Sequence, residues 1–363
     1  MHHLKAAANV VSGGLLSRLQ ASLLWVRRAD QHRHGTQLKA YATSMQLLDA
    51  YMSKTASVPS HHNIMKDFPS TLAIDAALCA LRSGDVCRAV EFLEQGRTII
   101  WTQMTRLCTP LDNLNTHGNH AVALMKRFRD LSSLLDKPPV NYSEGTPIVN
   151  VEAEETRYRR LVEDWNRAVE EIKKIEGFSR FLLPPLFSDL QDAAHDGPII
   201  VLIASQLSCH AIIITHKQPL INIQFPTDLL KLAKLVLALQ QAVQKEANAN
   251  GKQTALTKAL RELWDVVVCP VIENLDVFAR RGSRIWWCPT SLFNFLPLHA
   301  AGEYRAKGKS VSQQYISSYT PSLTALIKAR RSHDKSPSVP FGLSHAQPAT
   351  FAPRYHTDGS VLA

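Results

Sequence analysis

Apolar positions recur every three or four residues through roughly the first half of the chain and gather into short solid runs after it. In "AVEFLEQGRTIIWTQMTRL" the positions Val90, Leu93, Arg97, Ile100, Met104 and Leu107 alternate spacings of three and four, and all but Arg97 are apolar. That spacing predicts a helix with one buried face. A second long helix is predicted over "EETRYRRLVEDWNRAVEEIKKIEG". It places Tyr158, Leu161, Trp165, Ala168, Ile172 and Ile175 on one stripe, with Glu155/Arg159, Glu163/Arg167 and Glu170/Lys174 as i, i+4 pairs and Gly177 as its stop. After Arg180 the period changes. Apolar runs at Ile199–Ala204, Ala211–Thr215 and Leu220–Phe225, divided by short polar turns, predict a buried hairpin or meander. Two helices follow, "TDLLKLAKLVLALQQAVQK" behind a cap near Asp228 and "TALTKALRELWDVVVCPVIENL". Then "RIWWCP" reads as another buried strand, so the second half is expected to be an α/β layer.

Small residues refine the helical half. "AIDAALCALRSGDVCRAVEFLEQG" puts Ala77 and Ala80 on one helix, Gly84-Asp85 at a turn, and Ala89, Leu93 and Gly96 on the next. Side chains this small at these offsets let two antiparallel helices approach closely. The unit resembles a tetratricopeptide (TPR) repeat. An earlier pair, "LLSRLQASLLWVRRA" and "TQLKAYATSMQLLDAYM", carries Trp25 and Ala40-Tyr41 in keeping with a degenerate copy. A generic helical bundle is the alternative. The prolines and Gly145 of "DKPPVNYSEGTPIVN" break the helical pattern and read as a loop or linker.

Five blocks taken in order resemble the fungal TPR–CHAT proteins: Ala89–Leu114, Gly197–Thr215, Leu263–Leu275, "RIWWCPTSLFNFLPLHAAG" from Arg284, and "YISSYTPSLTALIKAR" from Tyr315 to Arg330. The resemblance covers roughly Leu15 to Arg330. It implies a TPR-like helical array followed by a CHAT domain, a caspase-like cysteine peptidase fold related to separase. Pro289 through Ala301 matches the family's strand-and-turn segment, with Ser291 where glycine is common. Ser318, Thr320, Pro321, Ser322, Leu323, Ala325 and Leu326 match the link from a strand into the next helix, where Pro321 suits a first helical position. The chain is thus expected to be α+β and multidomain: a TPR-like region over 1–136, a linker over 137–150, a connecting helix over 151–180, the first part of an incomplete CHAT domain over 181–330, and a disordered tail over 331–363.

The family's peptidase histidine lies in an apolar strand ending His-x-x-x-His-Gly, and its cysteine in a following strand ending Ser-Ala-Cys. Neither motif is present: His34-Gly35 and His117-Gly118 follow no apolar strand, and there is no Ser-Ala-Cys triplet. Ala363 is expected to fall before both. The resemblance therefore implies a CHAT domain-containing protein with TPR-like repeats that acts as an interaction module without peptidase activity. It would bind protein or peptide partners along its helical groove. The alternative is a fragment of a caspase/separase-type cysteine endopeptidase whose histidine and cysteine lie beyond residue 363. A sheet that stops early is expected to leave an edge and an apolar face bare, making the chain marginally stable or self-associating. The helical half would then survive proteolysis as a fragment ending near residue 180.

Composition adds exclusions. Hydrophobic residues make up 45% and charged residues 20%, ordinary for a globular protein. No segment has eighteen uncharged apolar residues, which speaks against a membrane span. Arg18 and Gln20 break the apolar start, so it reads as an amphipathic helix rather than a signal peptide. The net charge of +10 is spread along the chain without an aromatic-interleaved basic patch, which speaks against nucleic acid. Cysteines 79, 87, 108, 209, 269 and 288 include no C-x-x-C pair, and most sit among apolar neighbours, as expected of reduced thiols in a cytoplasmic protein. His2-His3, His61-His62 and His32-x-His34 lack the spacing of a zinc site, so no metal or cofactor is expected. Cys288 and His299 resemble a nucleophile and base. Cys288, following two tryptophans, reads better as a packed thiol, and His299 as part of a turn. Cys209 and His210, adjacent on a strand, must point to opposite faces. No catalytic residue is therefore assigned.

Overall fold

The computed structural model describes residues 1–10, 15–54, 70–105, 118–135, 148–176, 178, 181, 183, 186–247, 254–305 and 309–334. Residues 137–147 of the linker expected over 137–150 and residues 335–363 of the tail expected from 331, along with His61-His62, Leu107, Cys108, His117 and Gly177, lie outside the described residues. Residues 148–150 and 331–334 are helical, so both expected bounds are corrected there.

Helix α1 spans His2–Asn9, and α2 (Leu15–Gln31) packs on α3 (Gln37–Lys54) as a hairpin. Its seam buries Leu19, Trp25, Ala40, Tyr41 and Met45. The polar atoms these residues bring inside are satisfied locally: Trp25 Nε1 donates to Thr36 Oγ1 at 3.2 Å, and the Tyr41 hydroxyl donates to Asp30. A second hairpin joins α4 (Leu72–Arg82) to α5 (Val86–Thr105). Gly84 turns the chain at φ +78°, and Asp85 accepts the Arg88 N–H at 2.9 Å as an N-cap. The small residues act as their spacing predicts. Ala77, Ala80 and Ala89 are fully buried, and a Cβ on Gly96 would lie 2.3 Å from Ala73 Cβ, so the helices meet where only glycine fits.

Helices α6 (Asn119–Leu135) and α7 (Ile148–Lys173) pair around a core of their own. Phe128 lies between Trp165 and Phe181 at 5.6 and 5.3 Å, and Trp165 Nε1 donates to Ser132 Oγ at 2.9 Å. On α7 Arg167 reaches Asp164 and Lys173 reaches Glu170, both i, i+3, in place of the expected Glu163/Arg167 and Glu170/Lys174; the side chains of the third expected pair, Glu155/Arg159, lie outside the described ones.

A short helix α8 (Phe187–Leu190) leads into a mixed five-stranded sheet. Its strands are β1 (Ile199–Ala204), β2 (Cys209–Ile214), β3 (Ile221–Phe225), β4 (Arg284–Pro289) and β5 (Ile316–Tyr319), in the order β3-β2-β1-β4-β5. The first three form the antiparallel meander that the apolar runs predict, while β4 and β5 run parallel to β1. Between β3 and β4 lie α9 (Leu229–Ala247), capped by Asp228 as expected, and α10 (Thr254–Leu263). A π-helical turn at Trp264–Val268 and α11 (Cys269–Leu275) follow. The sequence reads α10 to α11 as one helix. Pro270 has no N–H to give the ladder, and the π turn takes up the mismatch just before it. Helices α12 (Val311–Gln314) and α13 (Leu323–Asp334) flank β5.

Alternation along β1 explains why its run is solidly apolar. Ile199, Val201 and Ile203 join the core of α2–α5, whereas Ile200, Leu202 and Ala204 join that of α9–α11. The expectation of a bare apolar sheet face is thereby corrected. The helices of the first 105 residues cover it, and one continuous core runs from Leu19 through Val90 to Ile199 and Leu326. No strand among the described residues pairs with the outer edge of β5, where Ile316 is 50% and Tyr319 43% exposed.

Candidate functional site

Arg97, the charged residue on the apolar stripe of α5, turns inward to the end of β4. Its Nη1 lies 2.7 Å from Cys288 Sγ, and its Nη2 donates to the carbonyls of Cys288 and Pro289 at 3.4 and 3.3 Å. One turn earlier Glu94, with a side chain 1% exposed, accepts from Arg97 at 3.4 Å. Glu94 also accepts the Leu323 N–H at 3.0 Å, the Thr324 N–H at 3.1 Å and the Thr324 hydroxyl at 2.9 Å. A carboxylate from α5 thus caps α13, satisfying N–H groups that the helix cannot satisfy itself. Two charges on one helix face hold the carboxyl end of β4 and the start of α13.

Cys288 and His299 take separate partners. Burial pushes the Cys288 thiol up to about 11; Arg97 pulls against this and Glu94 adds to it, so the sulfur is a neutral thiol at pH 7. His299 is exposed, with Nδ1 2.9 Å from the Tyr319 hydroxyl and its ring edge-on to Tyr319. Cys209 and His210 point to opposite faces: Cys209 packs with α9–α11, while His210 contacts Asn222 and Ser208 at 3.1 and 3.0 Å. Burial lowers the His210 pKa, favouring neutral imidazole.

Beside the Arg97 junction, past the carboxyl ends of β1 and β4, a cleft of about 860 Å³ separates the helical layer from the sheet. Gln37, Ile74, Leu78 and Arg82 line one wall, and Gln206, Leu207 and Ser291 the other. Leu207 is 76% exposed at its rim. Two non-glycine residues with left-handed backbone border it, Arg33 at φ +46° and Ser291 at φ +50°. Ser291 is the position where the family resemblance expects glycine, and the turn keeps the conformation that glycine adopts without strain. Ser291→Gly is expected to stabilise the protein by ~0.5–1 kcal/mol, as relief of a left-handed cost of ~1–2 kcal/mol outweighs glycine's extra chain entropy. A higher midpoint in urea unfolding at unchanged slope checks this.

Sequence reasoning missed Glu94 and the role of Arg97. The visible signal was one arginine at an apolar position. Its partners, some 190 to 230 residues away, carried none.

The architecture defines an α+β protein, a helical N-terminal region joined to a mixed five-stranded sheet with helices on both faces. Residues 257–358 match the family model of the CHAT domain. The matched span includes β4 and β5, which share their sheet with β1–β3 upstream of it. No curated protein matches the chain. Among the described residues no helix is long and apolar enough to cross a membrane, and no group of three His, Cys, Asp or Glu side chains is placed to hold a metal ion.

Proposed function

We propose that this protein is an interaction module, a TPR-like helical layer joined to a CHAT-type core, which receives an extended segment of a partner protein in the cleft between them. The cleft itself carries this reading. Its size falls in the range of about 300–1,000 Å³ typical of binding sites, its walls alternate apolar and polar groups, and strained backbone borders it. Cytoplasmic residence and self-association along the outer edge of β5 belong to the same reading. Short peptides selected from a display library on the wild-type protein should bind roughly tenfold or more weakly to Ile74→Asp and Leu207→Asp, which place a charge against the apolar part of the cleft. Equal affinity for wild type and both variants would move the binding surface elsewhere.

The CHAT match favours a second reading, a caspase/separase-type cysteine endopeptidase. A nucleophile in this part of the chain would need a thiolate, and the neutral, enclosed Cys288 speaks against that role. At pH 7 iodoacetamide is expected to modify exposed Cys87 in the native protein and to reach Cys288 only on unfolding. Rapid native labelling at Cys288, with peptide hydrolysis lost in Cys288→Ala, would establish the peptidase reading instead.

A further inference from the structure

We draw no further inference here: the strongest candidate, the side-chain cluster of Asp196, Trp286 and Arg330 beside the start of β4, leaves Trp286 Nε1 and Arg330 Nη2 buried without a hydrogen-bond partner among the described residues, but the fold encloses both atoms and nothing in the structure shows what would reach them.

Discussion

Arg97→Ala is expected to destabilise the protein by about 3–5 kcal/mol, because it strips the cation from a buried pair and leaves Glu94 charged inside the core. The loss would spread beyond the pair. The carbonyls of Cys288 and Pro289 lose their donor, and Glu94, which caps α13, loses its counterion. Arg97→Met combined with Glu94→Gln should recover most of the deficit, since a neutral amide can still accept from the start of α13 while methionine refills the volume. Urea unfolding monitored separately for helix content and for tryptophan fluorescence checks both points. A cost under about 1 kcal/mol for Arg97→Ala would mean that water replaces the guanidinium. The same core predicts how the protein comes apart. After limited proteolysis the helices up to Thr105 should still elute together with the sheet, in contrast to the fragment ending near residue 180 that the sequence suggests.

Gly197→Ala is expected to cost about 2–6 kcal/mol, summing backbone strain and overpacking. Gly197 holds φ +139°, and a Cβ there would sit 2.3 Å from the Arg284 carbonyl oxygen, a backbone atom that cannot swing away. The next residue fixes the register, since the Pro198 carbonyl accepts the Trp286 N–H at 2.9 Å where β1 and β4 begin to pair. Pushing Arg284 back would therefore loosen the central parallel pair of the sheet. Thermal unfolding of the variant checks this, and a midpoint within a degree or two of wild type would show that the strands shift without cost.

Periodicity made the elements legible. A 3.6-residue repeat distinguished the helices and solid β-branched runs the strands, because each pattern follows from which faces are buried. The hairpin of α4 and α5 was legible down to its contact residue, since glycine and alanine at fixed offsets permit only a close crossing. Ser291 could be flagged at a glycine-favoured turn. The single long helix expected from Thr254 to Leu275 was broken by Pro270, a local effect that its apolar pattern masked. The sequence offered Cys288 and His299 as a candidate pair and read them instead as a packed thiol and a turn residue. It could not show that each already had a partner, Arg97 for one and Tyr319 for the other.

By itself the sequence determined the helical half, the meander, the strand that follows it and the absence of the family's dyad motifs, because these depend on local spacing and residue type. The tertiary structure alone decided that the helical layer covers the sheet and that Arg97 and Glu94 fasten the two together. Those facts rest on contacts between residues far apart in the chain, and charge or burial at one position says nothing of what folding will set against it.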